Sequence, residues 1–560
     1  MSEARDQAET GSVDSADGSR RGGKWAVVIA LASAQFIMVL DSTVMNVSIQ
    51  EVITDLDTTV TEMQLAIATY TLTMASLMML GGKIGDIIGR RLAFRVGLVL
   101  FGVGAGITAV TPSMALLIAG WSVVEAVGAA LMIPAVMALI AANYEGRDRA
   151  IAYGIIGGII AAAAAAGPII GGWVATDFSW RVVFAAEVVI VLGLLAASRL
   201  IREGPREGRR PHLDGVGALL SASGLGLAVL GVVKSTDWGW IHPKQALTIG
   251  GTEITPFGFS VVPFLILAGI VLLGAFAAWE RRVTERGGDP LVQLALLRIP
   301  RLRAGLATMM VMMLTIGGIF FVLPLYLQIV LGKDPIETGV HILPLSITVF
   351  VFSLGASRLS SRIAPRRIIR TGMVAIFIGV LMLLATIEQS LNNVEFLGSL
   401  AVVGMGLGLM ASQLGNVNLS AVEPSQTSEV GGLQGTAQNL GSALGTALIG
   451  SILLTSLTGS FNSNVAADPA LPKSMRESVA SKTSGGLPFV PAQQAEQELR
   501  KRGLPESEAK QLGADYSEAE VTGLKTGLGG LAAIVLLGFL VTRQLPNRPL
   551  VARDGEAASG

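Results

Sequence analysis

Asp41 is the residue that most needs explaining. It lies in Trp25–Val47, WAVVIALASAQFIMVLDSTVMNV, with Ser42, Thr43 and Asn46 close behind it. About 20 apolar residues at 1.5 Å rise span the roughly 30 Å core of a bilayer, so this stretch can cross one. A carboxylate at that depth costs roughly 2.5–3.5 kcal/mol on insertion scales, and an acid kept there is read as functional. Glu125 poses the same question in a later apolar run, SVVEAVGAA. Counting from span ends, Asp41 sits about 9 Å and Glu125 about 15 Å below the outer surface. Two carboxylates close together in a low-dielectric cleft can share a proton. Taking that proton from one side and releasing it on the other is what proton coupling requires. Asp41 and Glu125 are therefore the expected proton-coupling acids, in a water-lined cavity between helices. Asn46 and the amides Gln434, Gln438 and Asn439 are expected to line the same cavity for a small-molecule substrate. The competing reading is that these groups only hydrogen-bond a neighbour and fix packing. It weighs most for Glu187, a third intramembrane acid nearer the outer end.

The elements that must position these residues are membrane spans. The 560-residue chain is 51% hydrophobic and 15% charged, with mean hydropathy +0.62. A soluble protein carries nearer a quarter charged residues. About fourteen apolar blocks reach spanning length. They lie near 25–47, 62–81, 92–111, 115–141, 150–173, 181–203, 213–233, 258–279, 304–326, 338–360, 367–387, 395–420, 430–457 and 523–542. Arg90, Arg91, Arg95, Arg147, Arg149, Arg281, Arg282, Arg298, Arg301 and Arg303 fall in one alternating set of loops, as do the arginines of 199–210 and 358–370. By the positive-inside rule these loops face the cytoplasm, and so do both termini. The organisation expected is a disordered cytosolic tail (1–24), a six-helix bundle (25–203), two inserted helices with linkers (204–303), a second six-helix bundle (304–543) and a cytosolic tail (544–560). Residues 460–522 form a long polar segment on the outer side. Within it Pro491–Arg502 and Pro505–Leu512 have helical composition.

Gly82–Arg91, GKIGDIIGRR, is a short basic turn with glycines for close approach and one acid among its bases. Asp86 can pair with Arg90 or Arg91 and cap the next helix, making a latch with Gly82, Gly85 and Gly89 as its tight points. A fainter counterpart, SRLSSRIAPRR, follows the matching span of the second half. An internal repeat of this kind is a transporter signature, with the substrate site at the repeat interface. Met74, Met78, Met79, Met309, Met310, Met312 and Met313 form soft clusters that repack around varied apolar ligands, or simply face lipid.

Other chemistries are poorly supported. The formal net charge is zero, which suggests no nucleic-acid partner. There is no Cys and only three scattered His, so neither disulfides nor a metal centre is expected. No P-loop and no nucleophile–base constellation is present, so neither ATP hydrolysis nor any other catalysis is expected, and no cofactor.

These motifs carry a resemblance. GKIGDIIGRR looks like the loop motif of the major facilitator superfamily. LDSTVMNV at Leu40–Val47 is similar to the first-span motif of its fourteen-helix drug:proton antiporters. Gly154, Gly167, Pro168, Gly171 and Gly172 match the antiporter motif of the fifth span, with Ala163 in one glycine place. SWRVVF at Ser179–Phe184 resembles the loop before the sixth span. The resemblance implies two six-helix bundles plus two inserted central helices, an all-α membrane fold working by alternating access. It also implies that the first and fourth helices lie side by side on the cavity. Three positions depart from the family pattern. Ser122 stands where relatives carry Arg, Glu125 where they carry Gln, and Glu187 where many carry Asn. The usual basic partner for the proton is missing, and the Asp41–Glu125 pair is its expected replacement. The reading is of a monomeric proton-driven exporter of hydrophobic or cationic drugs and dyes in a plasma membrane. An exporter of an endogenous lipid, siderophore or metabolite is the near alternative. A non-transporting membrane sensor or scaffold is the distant one.

Overall fold

The computed structural model describes residues 3–548 apart from 145, 204–212, 245–246, 250–251, 360–361, 424–425, 474, 477–478, 480–482, 484–485 and 502. Side chains are described from Trp25 onward, and a few positions inside helices by backbone alone. The first half contains α1 (Glu3–Val47), the short α2 (Ile49–Leu56), α3 (Val60–Ile88), α4 (Arg90–Ala109), α5 (Met114–Leu117), α6 (Ala126–Asn143), α7 (Gly146–Asp177) and α8 (Arg181–Ala197). A π-helical segment, Ile118–Glu125, joins α5 to α6. Next come α9 (Gly215–Trp238), a small antiparallel hairpin of β1 (Leu247–Ile249) and β2 (Thr252–Ile254), and α10 (Val262–Glu285). The second half contains α11 (Pro300–Pro324), α12 (Pro335–Leu359), α13 (Pro365–Thr386), α14 (Asn393–Leu419), α15 (Thr427–Ala467), α16 (Ala492–Lys501) and α17 (Glu506–Val541).

Thirteen helices of the described residues are long and apolar enough to cross a membrane, and the 32-residue α7 is a further long helix. In lipid every backbone donor needs an internal partner, which is why the apolar blocks become helices. The polar residues ahead of Trp25, expected to be irregular, have helical backbone back to Glu3. A helix already nucleated in α1 extends at one hydrogen bond per added residue.

The internal repeat, faint in sequence, is plain in the packing. In the first half α1 packs on α7, α3 on α6, and α4 on α6 and α8. In the second half α11 packs on α15, α12 on α14, and α13 on α14 and α17, in the same order. Two seams join the halves: α3 against α15, and α7 against α12. The inserted pair α9–α10 leans on the first of these. Val229, Val232 and Val233 of α9 meet Ala68 of α3 and Ala443 and Ala447 of α15. Ser235 and Ser451 share a hydrogen bond of 2.7 Å there.

The described residues of the polar segment after α15 pack on one another. Both flanking helices run past their expected ends, to Ala467 and from Glu506, and α16 forms between them. Phe461 and Tyr516 meet edge to face at 5.9 Å, and Asn464 Nδ2 donates to the Asp515 carbonyl at 3.2 Å. Val490 N donates to the Tyr516 hydroxyl at 3.1 Å. These contacts tie the last two long helices together beyond their apolar parts.

A buried carboxyl cluster as the candidate functional site

Asp41 is fully buried, and Trp121 Nε1 donates to both of its oxygens, at 2.9 and 3.1 Å. The indole stacks on Tyr70 of α3, with centroids 4.6 Å apart and planes 15° from parallel. The Tyr70 hydroxyl lies beside Asp41 and Ser42. Glu125 and Glu187 complete the cluster. One oxygen from each of Asp41, Glu125 and Glu187 lies within 4.8 Å of the others, and all three residues are buried. Among the described residues, Glu125 has no hydrogen-bonding neighbour but the Asp41 carboxyl, and neither oxygen of Glu187 has a partner.

Local backbone explains the convergence. Trp121 and Glu125 both sit on the π-helical segment, whose wider turn rotates side chains relative to an α-helix. Gly104 of α4 lets that segment come close. A Cβ there would lie 2.5 Å from the N and Cβ of Glu125. Ser122 donates to the Ala66 carbonyl at 2.9 Å and pins the segment to α3. Glu187 arrives from α8, which packs on both α1 and α4.

Asp41 and Glu125 are expected from sequence to line a water-filled cavity between helices. Instead every neighbour named above belongs to the first half, and the carboxyl groups are shut from solvent. Depth along a helix axis is countable from sequence, whereas rotation about the axis is not. Sequence alone does not decide the role of Glu187, and it does not distinguish Trp121 or Tyr70. An aromatic in an apolar run reads as lipid-facing until its N–H is seen to have a partner. Three carboxyl oxygens this close are also the donor type that a hard cation takes.

The other expected lining residues do not join the cluster. Asn46 Nδ2 donates to the Ser42 carbonyl at 2.7 Å, within its own helix. Gln434 Nε2 donates to the Gly415 carbonyl at 3.2 Å, Gln438 Nε2 to Met309 Sδ at 3.5 Å, and Asn439 Nδ2 to the Gly435 carbonyl at 2.9 Å. These amides serve packing within the second half.

The glycine-rich motif of α7 lies at the seam. Gly167 faces Thr43 and Gly171 faces Val44, so this motif meshes with the one that carries Asp41. On the α12 side Gly172 abuts the Pro335 carbonyl, and Gly339 abuts the carbonyl of Pro168. One glycine-flanked helix thus touches both halves. Of Gly154 only its helical backbone is described.

Further contacts close the acidic end, opposite the basic turns. Gln328 donates through Nε2 to the Val47 carbonyl and accepts from Gln50 N at 3.3 Å. Gln64 Nε2 donates to the carbonyls of Thr446 and Ala447, at 3.1 and 2.9 Å. Beside them is a cavity of about 550 Å³ lined by Gln50, Glu51, Thr54 and Asp55. Burial pushes the Glu51 carboxyl up to about 7, and Asp334 of the other half adds to the rise.

At the basic end, Gly89 breaks the chain between α3 and α4 with φ 106°. Asp86 pairs with Arg90 at 3.4 Å, at an exposed position. The expected cap of α4 by Asp86 is not made. Glu203 makes it instead, accepting from Arg90 N at 2.7 Å and Arg91 N at 3.1 Å. An acid at a helix N-terminus meets free N–H groups and the positive end of the dipole, and a residue far off in sequence does this as well as a near one. Arg91 Nε donates to the Ser198 carbonyl at 3.1 Å. Gly82 and Gly85 sit near Pro134 and Ala93 at ordinary contact distances, 3.7 and 3.6 Å from an added Cβ. Lys83 Nζ crosses to the Asp289 carbonyl, at 3.1 Å, in the linker after α10.

The sequence model of the Major Facilitator Superfamily matches residues 31–446. The chain belongs to this superfamily. As a major facilitator protein it resembles exporters of antibiotics. It is 31% identical over 476 residues to the tetracenomycin C resistance and export protein of Streptomyces glaucescens, covering 84% of each chain. It is 32% identical to the puromycin resistance protein pur8 of Streptomyces alboniger, over 80% of this chain and 84% of that one. The multidrug efflux pump LfrA of Mycolicibacterium smegmatis is 27% identical, over 84% and 87%. A bacterial homologue of the lysosomal transporter Spinster, solved inward-facing and unoccupied, has the same fold, with TM-score 0.60, 15% identity and coverage of 93% and 98%. The fold expected from the motifs, a multi-pass major facilitator transporter, is therefore established.

Proposed function

We propose that this major facilitator protein exports hydrophobic or cationic antibiotics and dyes in exchange for protons, by alternating access. The observation that carries the reading is the buried trio Asp41, Glu125 and Glu187. Three carboxyl groups this close, in a setting this dry, are tolerable when protons are shared among them. Glu187 has no partner and Glu125 only Asp41, so these two keep unused hydrogen-bonding capacity. Trp121 and Tyr70 hold Asp41 in place. A cation reaching the cluster competes with its protons, and competition for one set of carboxyls gives exchange by mass action. The glycine seam of α7 and α12 is the joint at which the halves part. The basic turns face the cytoplasm of a bacterial-type plasma membrane, as do both termini, and the unit is a monomer.

Ethidium efflux from energised cells, with and without an uncoupler, tests the reading. Efflux should stop with the uncoupler and fall strongly in both Glu125→Gln and Glu187→Gln. Efflux that survives the uncoupler sinks the proton drive. Wild-type efflux in both variants sinks the cluster's role. A second substrate reading is an endogenous lipid, siderophore or metabolite, in line with the export role named for the Streptomyces glaucescens relative. Comparing secreted products of a deletion strain with its antibiotic sensitivities separates the two.

A further inference from the structure

At the basic end, away from the carboxyl cluster, α11 and α17 leave a groove on the outer surface of the second half. It encloses about 380 Å³ and is lined by Arg303, Ala304, Ala307, Leu540, Val541, Arg543 and Gln544. The groove has two chemistries. Its walls toward the middle of the bilayer are Ala, Leu and Val. Leu540 is 55% exposed, and Leu536 and Leu537 beside it are also exposed. In a chain that crosses a membrane, such leucines face acyl chains. The other end of the groove is cationic.

Arg303 donates to Gln544 Oε1 at 3.3 Å. Arg370 of α13 donates to Thr542 Oγ1 at 2.9 Å and lies over the Phe539 ring at 5.1 Å. Arg370 is also repelled by Arg366 and Arg543. The buried Nε of Arg366 has no hydrogen-bond partner. Among the described residues, none of these four arginines has a carboxylate within ion-pair distance. Like charges are thus gathered at headgroup level with no protein anion to offset them. Guanidinium groups bind phosphate through paired N–H donors.

We propose that this groove is a binding site for an anionic phospholipid of the leaflet at the basic end. Its phosphodiester takes the donors of Arg303 and Arg543, while Arg366 and Arg370 supply the surrounding positive field. One acyl chain runs along Leu540 and Leu537. Basic pockets between membrane helices, level with the headgroups, are suited to such lipids.

The test uses the full-length protein, purified in detergent and titrated with phosphatidylglycerol, phosphatidylcholine or inorganic phosphate, with bound species read by native mass spectrometry. Wild-type protein should retain phosphatidylglycerol in preference to phosphatidylcholine. Affinity should fall about fivefold for each arginine removed in Arg303→Gln and Arg543→Gln. The double Lys variant at the same positions should keep most of it. Equal retention of the two lipids, or undiminished retention in the double Gln variant, overturns the proposal. Retention of inorganic phosphate in place of the lipid also overturns it, in favour of a soluble anion. If the double Gln variant does not fold, added salt decides on wild type. Release of the anionic lipid by salt supports the site, and retention unchanged by salt overturns it.

Discussion

Closure of the acidic end should depend on pH through one residue, Glu51. It lies on α2, facing Asp334 across the junction of the halves, with its carboxyl pushed up to about 7 from an ordinary 4.5. Its partner groups nearby are already committed. Asp55 pairs with Arg181, and Lys333 with Glu337. When the halves part, Glu51 returns to water and to its ordinary value. The closed arrangement therefore binds a proton more tightly than the open one. Acid favours closure. The electrostatic penalty on closing is absent below about 4.5 and complete above about 7. At 1.36 kcal/mol per unit the full difference is roughly 3 kcal/mol. Glu51 is only half-buried, so solvent screening brings this to on the order of 2 kcal/mol, or about thirtyfold in the open-to-closed ratio. The chain has no cysteine, so Thr54→Cys on α2 and Gln389→Cys, in the turn between α13 and α14 of the other half, can carry two unique spin labels. Their separation, measured by double electron–electron resonance in lipid nanodiscs, should lengthen as pH rises through this window. Glu51→Gln should stay short throughout. A separation that ignores pH, that lengthens toward acid, or that responds equally in Glu51→Gln refutes the reasoning.

Three further outcomes are expected. Trp121→Phe keeps the ring on Tyr70 but removes the donor to Asp41; a hydrogen bond to an ionised group contributes about 1.5–3 kcal/mol, so the melting temperature should fall and proton-driven efflux should drop at least tenfold at equal expression, and an unchanged melt with full efflux would show the bond to be incidental. Gly339→Val places side-chain atoms against the Pro168 carbonyl, and overpacking of about 1–3 kcal/mol should bias the same label pair toward long separations at every pH. Gln64→Ala removes two hydrogen bonds across the α3–α15 seam; it should lower thermal stability by about 1–2 kcal/mol and raise proton leak in vesicles, and an unchanged melt would show the bonds to be incidental.

Sequence and structure agree wherever one periodic property decides. Apolar blocks in a nonpolar solvent have one way to satisfy their backbone, and they appear as helices near their expected bounds. Asp41 announced itself because acids are costly in lipid, and Glu125 did so for the same reason. Glu187 stood apart in sequence only by lying nearer the outer end of its span. Its place beside Asp41 depends on how α8 packs against α1 and α4, which no spacing within α8 encodes. Trp121 owes its aim to a π-helical turn, and nothing in IAGWSVVE distinguishes that turn from an α-helical one. The amides Gln434, Gln438 and Asn439 of α15 have the polarity of a cavity wall, and the partners of their N–H groups lie on the same or adjacent helices. The latch turn was legible as a turn. Its true clasp, Glu203, lies more than a hundred residues away from it.

The hairpin of α9 and α10 carries one more consequence. It covers the α3–α15 junction from the bilayer side, with valines and a serine pair filling the contact. A greasy compound already dissolved among acyl chains meets a wall there. Among the described residues, the junction of α7 and α12 has no such cladding, and its glycines meet carbonyls of the facing helix directly. The two junctions between the halves therefore differ in kind: one is screened by an added helix pair, the other is bare backbone contact.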